Sequence, residues 1–413
     1  MRGCGGVWAR PPRRRCATIR GTASQPGRWT STTICWRTGM STEVLFLVNG
    51  DERSAMGYRA RAFAGRLPDH WRSRIEYRSR GKLLSTGAFL RAIAFSRPSI
   101  VYVLDMASSG VIAGAAARSL RRSVLVIDTG DAISALAESL GRGPIGLLLT
   151  RALEAFSLRM ADQIVVRGSF HRQWLTTRGV GAEVIPDGVD MQLFRPIEAD
   201  SIRVLRRELG LEHTLAVGLV GSSVWSEKLQ MPYGWELVEA LALLRDKPVQ
   251  GVIIGDGTGI PHLRARCREL HIEDRVTFPG RVPYEMLPSY LNALDVCLST
   301  QSNDLAGQVR TTGKLPLYLA CGRRVLASKV GEAALVLGPD MLIDYDGTKD
   351  TAYPARLAQR LTDMLSEDSL HTTDTIAVAR ERFDYDTLAT RLTAMFDALV
   401  AGSDGAVAFG GLE

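Results

Sequence analysis

Short apolar runs alternate with amphipathic stretches along most of the chain, and that alternation predicts its elements. Residues 43–48 (EVLFLV) are continuously apolar and end at Asn49 and Gly50, as expected of a strand buried on both faces of a parallel sheet. A helix is expected over 57–64. Strands at 74–77, 100–104, 124–127, 163–166 and 183–185 follow, separated by helices at 83–95, 110–120, 145–160 and 169–178. This spacing means right-handed βαβ units. Pro186, Asp187 and Gly188 then crowd turn residues together and mark a boundary near residue 190.

A second series starts beyond it, with strands at 215–220, 249–254, 275–278, 296–298, 324–328 and 342–345. Its helices are expected at 234–244, 261–270, 284–292, 314–320 and 354–365, and a last one at 385–400. The fold class is therefore α/β with two Rossmann-like halves, 41–190 and 191–384. A closing helix over 385–402 and a glycine-bearing flexible tail over 403–413 complete the expectation.

Length and composition agree with two domains in a globular protein: 413 residues, 46% hydrophobic and 23% charged. The net charge of +7 changes the picture only at one end. Residues 1–40 hold eight arginines and no lysine, aspartate or glutamate, so the rest of the chain is close to neutral. That segment has no apolar run of signal-peptide length and neither helical nor strand periodicity. A transit peptide, a basic nucleic-acid-binding tail and a disordered or upstream extension before a start at Met40 are the competing readings, and the last is adopted. No nucleic-acid partner is expected.

Cys267, Cys297 and Cys321 have neither CxxC spacing nor histidine companions, which points away from a zinc site or disulfide framework and towards a reducing cytoplasm. No metal and no cofactor are expected. The longest uncharged apolar stretch, 107–117, is too short to span a bilayer.

Candidate chemistry concentrates in residues 298–332, read as strand, polar loop, short helix and strand. In a parallel sheet the loop lies at the carboxyl ends of the strands, where helix N–H groups favour an anion. Arg310, Thr311, Thr312 and Lys314 sit there. A phosphate-bearing ligand is the natural reading.

The run TTGKLPLYLACGRRVLAS (311–328), with VIPDGVDMQLFRP (184–196), resembles family 4 glycosyltransferases of the GT-B fold. The resemblance extends over about residues 43–400. It implies two Rossmann-like domains facing each other across a cleft, with the last helix crossing back to the first domain. It also implies a retaining, metal-free transfer of sugar from a nucleotide-diphosphate donor to a carbohydrate or lipid-linked acceptor.

Site residues follow from the same likeness. Lys228 matches a lysine that holds donor phosphates, although Ser222 replaces the arginine expected beside Gly221. Gly57 and Tyr58 open the first helix near those phosphates. Gly255 and Gly257 resemble the turn beneath the nucleotide, and Phe278 to Val282, including Arg281, the segment along the base. Arg310 and Lys314 join Lys228 on the pyrophosphate, and Leu315 lines the base with Val282. Asp128, Asp131 or Arg167 faces the acceptor as an orienting group or base, and Ser169 faces the cleft. A plain N-cap at Asp131 is the competing reading.

The family's paired glutamates fall on Val309 and Leu317, neither of them acidic. That departure raises the alternative of a non-catalytic GT-B partner in polysaccharide assembly; a nucleotide-sugar epimerase is the more distant one. Arg59, Arg61, Arg66, Arg72, Arg74, Arg78 and Arg80 raise a peripheral contact with the inner membrane face.

Overall fold

The computed structural model describes residues 15–19, 32–36, 42–78, 81–311, 313–366 and 373–408. Strands β1 (Arg15–Ile19) and β2 (Thr32–Trp36) pair antiparallel, where the hydropathy pattern predicts no element and a disordered extension was expected. The first domain then builds β3 (Thr42–Val48), α1 (Ala55–Ala64), β4 (Trp71–Tyr77), α2 (Lys82–Ser96), β5 (Ile100–Leu104), α3 (Ser108–Arg121) and β6 (Val124–Thr129). It continues through α4 (Ile133–Ser139), α5 (Pro144–Met160), β7 (Gln163–Val166), α6 (Ser169–Thr176) and β8 (Glu183–Val184).

The second domain holds α7 (Ala199–Glu208), β9 (Leu215–Val220), α8 (Trp235–Leu243), β10 (Val249–Ile254), α9 (Ile260–Glu269), β11 (Val276–Gly280), α10 (Leu287–Asn292) and β12 (Val296–Ser299). After it come α11 (Leu305–Val309), α12 (Lys314–Ala320), β13 (Arg324–Ser328), α13 (Ala333–Val336), β14 (Leu342–Ile343), α14 (Tyr353–Met364), α15 (Thr373–Phe383) and α16 (Tyr385–Ala408).

Two six-stranded parallel sheets result, ordered β4-β3-β5-β6-β7-β8 and β11-β10-β9-β12-β13-β14. Strand order reverses between β3 and β5 in the first and between β9 and β12 in the second. Such switch points open a crevice at the strands' carboxyl ends. Both sheets are covered on two faces, which is why their strands read as unbroken apolar runs. In the first domain α1 and α16 pack on one face, around Phe46, Tyr102 and Phe63, while α2, α3 and α5 pack on the other, around Leu47, Phe89 and Val103.

Helix α16 leaves the second domain and buries Leu388, Leu392 and Phe396 against the first sheet. Phe396 lies 5.4 Å from the Trp71 ring and 5.7 Å from Tyr102, and the Trp71 indole N–H donates to Asp397 at 2.9 Å. The helix runs on to Ala408, so residues 403–408 are helical backbone rather than a tail.

Helices α4, α7, α11, α13 and α15 are additions to the expected pattern. Helix α11 shows why: five residues cannot display a 3.6-residue period, and the helix is nucleated by Asp304, whose carboxylate accepts from the Gly307 N–H at 2.8 Å. The stretch 284–292 is a 3₁₀ turn followed by α10, whose first turn accommodates Pro288 because that position needs no N–H.

Candidate active site at the domain junction

The chain crosses between domains twice, and the VIPDGVD motif is the first crossing. Val189 N–H donates to the Phe383 carbonyl at 2.8 Å, and Tyr385 N–H returns to the Val189 carbonyl at 3.1 Å. A Cβ on Gly188 would stand 2.6 Å from the Tyr385 ring, so only glycine lets the two crossings touch. Buried Arg59 of α1 anchors the segment, donating to the Ile185 and Pro186 carbonyls at 2.8 and 2.6 Å. Arg66 holds Asp190 at 3.0 Å and Asp386 at 2.6 Å, one on each crossing. The motif is a hinge, built for backbone geometry.

The same Arg59 corrects the reading of Asp128. Asp128, fully buried at the end of β6, accepts from Arg59 Nε at 2.7 Å, the Tyr102 hydroxyl at 2.8 Å and Arg167 Nε at 3.3 Å. Burial alone would raise its pKa, but the two guanidiniums hold it below the ordinary carboxylate range. A carboxylate so engaged neither takes a proton nor faces an acceptor. Asp105, which the sequence did not single out, stands closer to that role. It follows β5 in a left-handed conformation (φ 65°), and its side chain is 35% exposed. Arg167 donates to it at 2.8 Å, yet burial leaves its pKa raised.

Asp131 does not cap α4, whose N-cap is Ala132 without a side-chain bond. It reaches across the cleft to Arg310, Nε to Oδ1 at 2.9 Å. Close by, Glu332 of the second domain accepts from the Ser169 N–H and hydroxyl at the start of α6. Tyr58 stacks on Tyr284 with ring centroids 4.1 Å apart, and Arg281 comes within 3.5 Å of the Arg53 carbonyl. These contacts bring the two halves together around a small cavity lined by Arg167, Asp187, Gln301, Thr311, Leu315 and Glu332.

In the second domain the carboxyl ends of β9 and β10 are zipped together. Gly221 N–H donates to Ile254 and Ser223 N–H to Asp256, at 3.0 and 2.8 Å. A Cβ on Gly255 would fall 2.0 Å from the Gly221 oxygen, and one on Gly257 2.4 Å from the Ser223 oxygen, with φ at +134° and +140°. Both positions demand glycine.

Lys314 leans into this turn. Its Nζ lies 3.6 Å from the Tyr233 ring centroid and is the atom nearest the open face of Gly221. Burial, with Arg310 adding repulsion, pushes its pKa down to about 7. No carboxylate pairs with it among the described residues.

Other expected site residues are placed differently. Gly57 cannot offer its N–H to a phosphate, because Ser54 Oγ takes it at 3.1 Å and the Tyr58 N–H goes to the Ser54 carbonyl at 3.0 Å. Glycine is needed there because a Cβ would meet the Glu52 oxygen at 2.5 Å. Lys228 is exposed at the tip of the Ser226–Met231 turn, with its Cβ opposite Gly141 of the first domain, and Ser222 is exposed too.

Val282 and Leu315 pack into the second domain's core, Leu315 at the cavity's edge. Thr311 presses its methyl towards Gly168. Thr312 lies outside the described residues. Val309 and Leu317, where the resemblance implies paired glutamates, are both buried. The proposed arginine cluster is not one surface: Arg59 and Arg66 belong to the hinge, Arg74 pairs with Glu76, Arg61 stacks on Tyr58, and Arg80 is outside the described residues.

Residues 235–370 match the family model described as glycosyl transferases group 1. Two curated relatives agree. The chain is 29% identical over 130 residues to a 2-deoxystreptamine glucosyltransferase of Streptomyces kanamyceticus, covering 30% of this chain and 32% of that one. It is 27% identical over 261 residues to a D-inositol 3-phosphate glycosyltransferase of Segniliparus rotundus, covering 60% and 54%. The matched parts thus span about a third and about half of those relatives.

Among solved structures, Anabaena HepE in complex with UDP-glucose superposes with a TM-score of 0.68 at 17% identity, covering 86% of this chain and 99% of that one. The sucrose-phosphate synthase of Thermosynechococcus elongatus gives 0.67 at 17%, covering 87% and 100%. The fold of the two domains is GT-B.

Proposed function

We propose that the chain is a glycosyltransferase that moves a sugar from a nucleotide-diphosphate donor to a carbohydrate or lipid-linked acceptor. The observation that carries it is Lys314. A half-buried lysine ammonium against the Tyr233 ring, without a carboxylate partner among the described residues and close enough to Arg310 for the two to repel, is costly unless an anion completes the site. It stands at the carboxyl end of β9, beside the switch point of the second sheet, where a nucleotide is expected in such folds. The relatives named glucosyltransferase and glycosyltransferase, and the HepE complex with UDP-glucose, support the donor class.

Chemically, charge grows on the departing diphosphate as the glycosidic bond breaks. Lys314 and Arg310 stabilise it as fixed cations, so the step calls for no metal. Transfer proceeds with retention, the acceptor attacking from the face the diphosphate leaves and a leaving-group oxygen taking its proton. Asp105 orients the acceptor from the first domain, in the place first assigned to Asp128. The protein works in the cytoplasm; no helix among the described residues is long and apolar enough to cross a membrane.

A second reading, a GT-B protein without catalysis, is favoured by Val309 and Leu317, which put apolar groups where the resemblance implies carboxylates. One experiment separates the two. Calorimetric titration of the full chain with UDP and GDP, with Lys314→Ala alongside, shows micromolar binding of one nucleotide that the variant loses. Its sugar conjugate is then hydrolysed or transferred by an enzyme and left intact by a non-catalytic protein. If neither nucleotide binds at millimolar concentration, both donor-site readings fail.

A further inference from the structure

The outer face of the first domain is apolar and basic at once, and none of the described residues covers it. Helices α2, α3 and α5 lie on the same side of the first sheet, with α3 packed against both of the others, and bury one side each around Phe89, Val111 and Leu153. Their other side points to solvent and carries large apolar residues. On α2, Leu83 is 89% and Phe95 72% exposed; on α3, Leu120 is 81% exposed; on α5, Ile145 is 78% exposed and Leu148 and Leu149 two-thirds so. Isolated exposed leucines need no explanation, but a run of them on adjoining helices marks an interaction site.

Charge on this face is of one sign. Helices α2 and α3 contain no aspartate or glutamate, and the one carboxylate of α5, Glu154, is buried and bonded to Ser134. Lys82, Arg121 and Arg159 have no ion-pair partner among the described residues, and Arg91 lies over the Phe95 ring at 5.5 Å. Arg118 and Arg151 are paired, with Asp162 and Glu138 from neighbouring segments.

We propose that the α2-α3-α5 face docks the protein on an anionic lipid bilayer. The arginines and the lysine meet the headgroups while Leu83, Phe95, Ile145 and Leu148 enter the interface. A basic, apolar face of this kind fits a lipid surface, whose charge attracts cations and whose acyl boundary accepts the leucines. A second copy of the chain fits poorly, because a symmetric contact would set the same cations against one another. A folded acidic partner would leave the leucines facing charge. This face is distinct from the hinge arginines of α1 and from the donor cleft, and it does not depend on which donor is used.

The test is co-sedimentation of the full chain with vesicles of phosphatidylcholine alone and with about one-third phosphatidylglycerol. Binding is expected only to the anionic vesicles, weakening in 0.5 M salt. A Leu83→Ser/Leu148→Ser double variant is expected to bind at least tenfold more weakly, with an unchanged melting curve because both side chains are exposed. Leu243→Ser, an exposed leucine of the second domain, is the control and is expected to bind like the parent. No sedimentation with anionic vesicles, equal sedimentation of parent and double variant, or a parent dimer that the double variant makes monomeric would each overturn the proposal.

Discussion

Glu332 of the second domain closes on Ser169 of the first: the Ser169 N–H donates to one carboxylate oxygen at 2.7 Å and its hydroxyl to the other at 3.2 Å. The N–H belongs to the first turn of α6, where no carbonyl of the helix reaches it and negative charge is favoured. The contact therefore links the domains through a group that otherwise needs water or a ligand.

Glu332→Ala should loosen that link. The lost bonds are worth about 1–3 kcal/mol, against which Tyr58–Tyr284 and Arg310–Asp131 still hold the cleft. Small-angle scattering of the free protein is expected to show a larger radius of gyration in the variant, returning towards the parent value with bound nucleotide. An unchanged radius would assign closure to the other two contacts.

Lys314 makes donor binding pH-dependent. With its folded pKa near 7, below the ordinary lysine range, the unfolded chain binds the extra proton at pH values between the two, so stability rises with pH across that window. A bound diphosphate favours the charged form and raises the pKa, so binding at pH 8 takes up a proton. Calorimetry in buffers of different ionisation enthalpy should report that uptake, with affinity falling as pH rises and no uptake in Lys314→Ala.

Asp128 and Asp131 should separate cleanly. Asp128→Asn removes the carboxylate that buried Arg59 and Arg167 share, leaving them Asp187 and, for Arg167, Asp105, and is expected to cost up to about 3–5 kcal/mol, read from urea unfolding. Asp131→Asn breaks a half-exposed pair with Arg310, worth under about 1 kcal/mol. Asp105→Asn should leave stability closer to the parent than Asp128→Asn and reduce transfer more than nucleotide binding.

His171 on α6 should make the fold acid-sensitive. Burial pushes its pKa down to about 4, so between that value and its ordinary one the unfolded chain binds the extra proton. Stability falls as pH drops through this window. The urea midpoint should decline from pH 7 to 4, and the decline should flatten in His171→Gln.

Much of the architecture was legible in the sequence. The apolar runs at 100–104, 163–166, 215–220, 249–254 and 324–328 coincide with strands because each is buried on both faces and bounded by turn residues. Glycines 255 and 257, read from the sequence as a turn after a strand, do follow β10 in a turn whose backbone crowding leaves no room for a Cβ.

The roles of the charged groups were decided by tertiary structure. Asp128 and Asp131 are three residues apart, yet one is sealed among Arg59, Tyr102 and Arg167 and the other crosses the cleft to Arg310. Those partners lie from 26 to 179 positions away, a separation no local pattern encodes. Lys228 follows β9 and Lys314 follows β12, and the likeness gives both to the donor phosphates, but only Lys314 packs against Tyr233 and Gly221. Periodicity determines which residues must leave water, and so the elements and their layers. Where a charge ends up depends on which distant strand ends the fold brings beside it, and that is settled only when the two sheets and the returning helix pack.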